Sequence, residues 1–166
     1  MSKNIHYVGR VSRIEVAIQD PTNDPTDPST IFKNLGAVQA KSIGLEGNQL
    51  QTNNSSSTSG FDEAQLGTSS FTISASGLYV DEDYEDAANN TYIAELQSHY
   101  FSSIKPDLSE SPIILVKYVR PDITITAYMI IASINVDDND AELSTWSMEL
   151  VNAPSPLYPL TVAPTV

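Results

Sequence analysis

The segment from Ile123 to Asn152 predicts one long β-hairpin, and no other segment constrains the fold as strongly. Its first arm, ITITAYMIIASINV, is rich in β-branched residues and apolar on both faces, as in a strand covered on both sides. Its second arm, LSTWSMELVN, alternates apolar and polar residues with the period of a half-buried strand. The acidic segment DDNDAE between them is the predicted turn. We therefore expect the first arm to meet the domain core on one face and something else, such as another chain, on the other.

The remaining alternating segments predict a mainly β fold, an antiparallel sandwich or barrel with one flanking α-helix, long loops and extended termini. With 166 residues, the chain suffices for one domain with a core, so residues 1–166 are taken as a single domain. The helix is expected over residues 91–103, where apolar residues recur at helical spacing. The strands are expected over residues 8–18, 35–46, 69–80 and 112–119, in addition to the hairpin.

Four segments lack such patterns and are expected to be irregular. Residues 1–7 form a predicted N-terminal arm, and residues 20–34 a turn-rich insertion with three Asp-Pro pairs. Residues 47–67 are too polar to order themselves, so they are either a linker or a loop that becomes ordered against a neighbouring subunit. Residues 153–166 contain four prolines and predict an extended C-terminal tail.

The charge balance limits the possible partners. With 8 basic and 21 acidic residues, the net charge is −13, which repels nucleic-acid phosphates and anionic membranes. No stretch approaches the roughly 18 apolar residues that span a bilayer, and the first ten residues contain no signal-like apolar run. We expect a soluble protein made in the cytoplasm that binds neither DNA nor membranes tightly. The acidic groups are interpreted as solvated turns, or as a surface past which DNA must slide.

The sequence contains few residues in patterns typical of a catalytic, metal-binding or cofactor-binding site. There is no cysteine, and the only histidines, His6 and His99, lie outside any nucleophile or phosphate-binding motif. A calcium loop starting at Asp138 is disfavoured because Leu143 stands where a glycine is required. We therefore expect no enzyme, metal or cofactor, although a Ser/His/Asp site could still assemble in space. A β-sandwich binding module is another alternative, but it needs exposed aromatic residues, and the lone Trp146 is predicted to point inward.

Two short motifs, FTISASG at residues 71–77 and STWSMEL at residues 144–150, resemble the major tail tube proteins of long-tailed bacteriophages. The resemblance runs loosely from residue 8 to residue 157. It implies a sandwich of which six copies close into a ring, with rings stacked around a channel for DNA in the virion tail. It also implies tail terminator, baseplate or tip, and tape measure proteins as partners. The tubes of contractile injection and type VI secretion systems share this architecture and remain an alternative.

The resemblance and the alternation together assign roles to three groups of residues. The inter-ring loop is expected to include Gln49, Asn53, Asn54, Ser55, Ser59 and Phe61. The lumen-facing residues are expected to be Ser70, Thr72, Ser74, Ser76, Thr145, Ser147 and Glu149. The core residues are expected to be Phe71, Ile73, Trp146, Met148 and Leu150.

Overall fold

The computed structural model describes residues 12–20, 22–52, 63–79, 90–103, 112–138, 143–153 and 158–165, with the backbone alone for residues 49–52 and 63–67. These residues form nine strands and one helix. The bounds are β1 Arg13–Ala17, β2 Lys33–Leu35, β3 Val38–Thr52, β4 Glu63–Leu78, β5 Asn90–Thr91, α1 Ile93–Ser103, β6 Ile113–Val119, β7 Ile123–Asp137, β8 Thr145–Asn152 and β9 Thr161–Pro164. The predicted mainly β class with a single helix is confirmed for the part of the chain described.

The strands form one sheet in the order β3-β4-β8-β7-β6-β1-β2-β5, with β9 also paired to β7. All neighbours are antiparallel except β2 and β5, which run parallel. The sheet does not close into a barrel, because β3 and β5 end the order without pairing to each other. It folds over one core instead, since residues of β1, β4, β6, β7 and β8 belong to the same buried cluster. A sandwich-like arrangement follows.

Strand β7 joins two layers, one containing β3, β4 and β8 and the other containing β6, β1, β2 and β5. Residues 124–130 of β7 pair with β6, and residues 129–137 pair with β8 on the opposite side. The register with β8 shifts between Ile131 and Ser133. A β-bulge of this kind bends a strand and increases its twist. Strand β7 thereby belongs to both layers, its first half pairing with β6 and its second half with β8.

The main core lies between the layers and is completed by the helix. Ile93 and Leu96 of α1 are buried in this cluster, and Tyr100 packs against it. These three residues recur at the three- and four-residue spacing of one helix face. The helix begins after Tyr92, whose carbonyl accepts the Glu95 and Leu96 amides at 3.1 and 3.4 Å.

A second, smaller apolar cluster covers the other face of β6 and β7. It consists of Ala17, Leu115, Tyr128 and Ala153, with Phe32, Ile113, Ile130 and Tyr158 packed against it. Residues from the Pro/Asp-rich insertion and from the C-terminal tail therefore cover the second apolar face of the hairpin. The sequence correctly predicted that this face is covered, but the chain itself supplies the cover.

The insertion is a series of tight turns that is hydrogen-bonded to the Tyr128 side chain. The carboxylates of Asp20, Asp24 and Asp27 each accept the amide two residues further on, at 2.8 Å. These hydrogen bonds lower the pKa of Asp20, mainly through the Thr22 hydroxyl, and that of Asp27, mainly through the Ser29 amide. The Tyr128 hydroxyl donates to the Asn23 carbonyl at 2.6 Å. The insertion ends earlier than predicted, because β2 already begins at Lys33.

Three predicted segments differ in part from the structure. Residues 35–46 are not one strand, because a turn at Gly36 and Ala37 separates β2 from β3 and places Ala37 at a positive φ of 54°. Residues 47–67 are not wholly irregular, because β3 continues to Thr52 and β4 begins at Glu63. The tail is not wholly extended coil, because residues 161–164 form β9 along β7. Pro164 is tolerated there because it ends an edge strand, where its missing amide disturbs little of the ladder.

Candidate assembly surface

The candidate site is the layer made of β3, β4, β8 and residues 131–137 of β7, which we call the four-stranded layer. Its inner face is apolar and packs on the main core. Alternate residues of β4 and β8 meet there, with Ile73 opposite Leu150 and Ala75 opposite Met148. All five predicted core residues are at most 5% exposed, and they are Phe71, Ile73, Trp146, Met148 and Leu150.

The other face of the four-stranded layer, which we call the polar face, carries small polar side chains in matched rows. Ser74 lies opposite Ser42 on one side and Glu149 on the other. Strand β7 continues the row, because Ser133 lies opposite Glu149. The structure brings the seven predicted lumen residues together on this face, and they are Ser70, Thr72, Ser74, Ser76, Thr145, Ser147 and Glu149. An open trough of about 400 Å³ runs across it.

The polar face is acidic. By alternation, its charged groups are Glu46 of β3, Asp137 of β7 and Glu149 of β8. Among the described residues, no lysine or arginine stands on this face. The basic residues described are Arg13, Lys33, Lys41, Lys117 and Arg120.

The basic residues near β1 are engaged within the chain. Glu15 pairs with Arg13 and with Lys117, whose Nζ lies 3.7 Å from the centre of the Phe32 ring. Arg120 pairs with Asp122 at 3.1 Å. The positive charges of Arg13, Lys117 and Arg120 are therefore held outside the four-stranded layer, away from the polar face, where a cation would attract phosphate.

Sequence reasoning missed part of this face. Ser133, Asn135 and Asp137 of β7 lie opposite Glu149, Ser147 and Thr145. The signal was present, because these residues alternate in the segment SINVD. It was obscured because the earlier part of the same strand is apolar on both faces.

Both lateral edges of the four-stranded layer are free of described partners. Strand β3 is the terminal strand of the sheet. At the other edge of the layer, β6 pairs with β7 only as far as Ile130. Among the described strands, residues 131–137 of β7 therefore pair with β8 alone. Unpaired edges expose backbone donors and acceptors that favour pairing with another strand. Leu45, on the inner face of the β3 edge, is 73% exposed although its neighbour Phe71 is buried.

The β3–β4 hairpin projects beyond the layer as a two-stranded arm. Pairing of β4 with β8 ends at Thr72, whereas pairing of β3 with β4 continues to Thr52 opposite Glu63. From Glu46 to Thr52 the arm extends roughly 20 Å at the usual strand rise. Gln49 lies in this arm, and the other predicted inter-ring residues, Asn53, Asn54, Ser55, Ser59 and Phe61, lie outside the described residues.

The described residues offer little for other kinds of site. Trp146 is buried, and its indole Nε1 donates to the Leu78 carbonyl at 2.9 Å, so this residue is not part of a surface aromatic cluster. Over the described ranges, no group of three potential metal ligands is close enough to hold an ion. Within the same ranges, no helix is long and apolar enough to cross a membrane.

Comparisons with known proteins connect this architecture to solved assemblies. No known family pattern matches the chain, and no curated protein sequence does. The structure is similar to a chain of the virion of the native gene transfer agent particle, with TM-score 0.65, 15% identity, and coverage of 97% of this chain and 100% of that chain. It is also similar to a chain of the tail of the empty gene transfer agent particle, determined with C6 symmetry, with TM-score 0.63, 16% identity, and coverage of 97% and 100%.

Two further structures extend the likeness. For the SPP1 tail tube the TM-score is 0.55 at 9% identity, covering 96% of this chain and 80% of that chain. For a chain of the anti-feeding prophage baseplate the TM-score is 0.54 at 10% identity, covering 98% and 97%. The sequence identities are low, and the match over nearly the whole chain concerns the fold. The chain has the fold of phage-type tail tube proteins.

Proposed function

We propose that the chain is the structural subunit of a phage-type tail tube, assembling into hexameric rings that stack around a channel for DNA. The observation that carries this proposal is the four-stranded layer, whose two edges have no partner strand among the described residues and whose one open face is polar and acidic. The shared fold with a chain from a tail of C6 symmetry and with the SPP1 tail tube supports it. Partners would be further copies of the chain and the tail terminator, baseplate or tip, and tape measure proteins. Its place would be the virion tail, after synthesis in the host cytoplasm.

The directions of the edge strands permit ring closure. The layer contains four strands in alternating directions, so β3 and residues 131–137 of β7 run antiparallel to each other at its two edges. Rotation about a common axis then sets β3 of one copy antiparallel to β7 of the next. Closure of such a ring would remove both free edges of the four-stranded layer and bury the exposed Leu45.

The polar face would line the channel. The inner face is already covered by the second layer and α1, so only the polar face is left to line a lumen. Hydroxyl side chains remain hydrated, and Glu46, Asp137 and Glu149 repeated around the ring repel phosphate from every side. DNA would slide through such a channel without binding to it.

A charge reversal at Glu149 tests the lining. The side chain is exposed on the polar face, so Glu149→Lys should leave tube assembly largely unchanged and slow or block DNA passage. Glu149→Gln is the matched control, because it keeps the size, adds no positive charge and should permit passage. Tubes are counted by negative-stain microscopy, and DNA delivery is measured in complemented particles. Loss of assembly in the lysine variant would place Glu149 at a subunit contact instead.

The arm would connect successive rings. As a free two-stranded hairpin it has no described partner beyond Thr72, and isolated hairpins are only marginally stable in water. Trimming residues 53–59 should leave the fold of the monomer intact and impair the stacking of rings into tubes. Circular dichroism checks the fold, and microscopy compares single rings with tubes. Tubes of normal length in the trimmed protein would make this segment a mere linker.

The proposal as a whole is tested by the state of the purified protein. With rising concentration the subunit should pass from a monomer near 18.0 kDa to six-fold rings and filaments. Size-exclusion chromatography with light scattering and negative-stain microscopy measure this directly. A chain that stays monomeric at the highest concentrations would favour a β-sandwich binding module instead.

A second candidate is the inner tube of a contractile injection system. The likeness to a chain of the anti-feeding prophage baseplate favours this alternative. Both candidates are non-enzymatic tube subunits, and co-purification of a sheath protein would separate them.

A further inference from the structure

One charged residue interrupts an apolar row on the free edge of β3. By register, Val38, Lys41, Ile43 and Leu45 stand on the inner face, with Lys41 opposite the buried Ala75. Val38 and Ile43 pack against the main core. Lys41 is half-buried and makes no ion pair with any described residue. Burial without a compensating carboxylate lowers the pKa of its ammonium group.

The opposite edge of the four-stranded layer carries the complementary row. Ile134 and Val136 of β7 stand on the inner face, opposite Met148 and Trp146, and both pack against the main core. Asp138 follows β7 directly and is exposed. Continuing the alternation by one residue places Asp138 on the same face as Val136.

We infer that, in the proposed ring, β3 pairs with β7 of the neighbouring copy in the register that sets Lys41 opposite Asp138 of the partner subunit. This inference rests on the proposed function. The same register sets Ile43 opposite Val136 of the partner subunit and Leu45 opposite Ile134 of the partner subunit. Both apolar residues of the β7 row then meet an apolar residue of the β3 row, and the lone cation meets a carboxylate.

Neighbouring registers are energetically less favourable, because each places apolar or charged side chains in the wrong surroundings. A slip of one residue would turn the apolar row of β7 toward the polar face. A slip of two residues in one direction sets Lys41 opposite Val136, and in the other direction sets Asp138 opposite Ile43. Either slip buries a charge against an aliphatic side chain at the interface, which is costly. Lys41 thus acts as a register device, since an inward-pointing charge blocks unspecific pairing at an edge.

The same register also gives favourable cross-strand pairs on the polar face. It sets Ser42 opposite Asp137, Gly44 opposite Asn135, and Glu46 opposite Ser133. We call the contact between β3 of one copy and β7 of the next copy the seam. No two carboxylates stand directly opposite each other across the seam, where like charges would repel.

Disulfide cross-linking tests the register directly, because the chain has no cysteine of its own. Residues directly opposite in an antiparallel pair have Cα atoms about 4.5–5.5 Å apart, within disulfide range. The double variant Ile43→Cys, Val136→Cys should form a covalent ladder up to the closed ring on a non-reducing gel. Cross-links within one chain are excluded because β4 and β8 separate the two positions by about 14 Å.

The matched control is Ile43→Cys, Ile134→Cys, offset by two residues, which should cross-link at least about tenfold less because diagonal neighbours lie beyond disulfide range. Preferential cross-linking of the control pair, or rings in which neither pair reacts, would overturn the register and leave the proposed function standing. A parent chain that forms no rings would overturn both.

Charge reversal gives an independent readout. Lys41→Glu and Asp138→Lys should each lower the fraction of subunit in rings by about tenfold or more, because each juxtaposes like charges at the seam. The double variant should restore assembly. Lys33→Glu in β2, remote from the seam, carries the same charge change as Lys41→Glu and should assemble normally. Normal assembly of both single reversals would overturn the pairing of Lys41 with Asp138.

Discussion

Replacing Trp146 by alanine is expected to lower the free energy of unfolding by about 3–5 kcal/mol, the usual range for removing a buried aromatic side chain. Trp146 is 2% exposed and belongs to the main core, so the change leaves a large cavity. It also removes the indole donor that satisfies the Leu78 carbonyl at 2.9 Å. Urea denaturation followed by circular dichroism measures the loss, since the only tryptophan is gone.

Trp146→Phe is the matched control for this prediction. Phenylalanine keeps most of the apolar volume and loses the hydrogen bond, so it should cost roughly half as much. A loss below about 1 kcal/mol for the alanine variant would contradict the placement of Trp146 in the core, because a fully buried aromatic residue cannot be removed so cheaply.

The second large effect is expected for Gly77→Ala. A Cβ atom at Gly77 would lie 2.0 Å from the Ala37 carbonyl oxygen and 3.1 Å from Cζ2 of Trp146. The backbone of the β2–β3 turn must therefore move, which breaks the hydrogen bond from the Leu78 amide to the Ala37 carbonyl at 3.1 Å. We expect a loss of about 2–4 kcal/mol in the free energy of unfolding, from overpacking and the lost hydrogen bond together.

Gly44→Ala is the control within the same hairpin. There a Cβ atom would meet only the Thr72 side chain, 2.6 Å from Oγ1, which can rotate away on the open polar face. Its cost should stay below about 1 kcal/mol, in the range of surface substitutions. Thermal or urea denaturation of both variants decides the matter, and equal losses would show that the close approach at Ala37 is not what excludes a side chain at Gly77.

Both predictions concern the inner face of the layer whose polar face is proposed to line the channel. The close contact between Gly77 and Ala37 ties the start of β3 to the end of β4. Destabilising variants at these positions should therefore impair assembly indirectly. The charge variants at Lys41, Asp138 and Glu149 should instead act on assembly or DNA passage with little change in the stability of the monomer, which separates the two classes.

Local sequence determined which residues of each main strand face the core. The alternation of WSMEL in β8 and of FTISAS in β4 was readable because side-chain direction along a strand depends only on the backbone period. The helix was readable for the same reason, since Ile93, Leu96 and Tyr100 recur at helical spacing. The hairpin of β7 and β8 joins neighbours in the chain, so its pairing needed no distant information.

Only the tertiary structure decided which strands end the sheet, how far the β3–β4 arm extends and what covers the second face of β7. The arm is held by backbone hydrogen bonds between residues 47–52 and 63–69, which a polar composition neither predicts nor forbids. The cover over Tyr128 comes from the insertion and the tail, roughly a hundred residues before it and some thirty after. Such contacts depend on the relative placement of distant segments, and periodicity records only the direction of side chains within one segment.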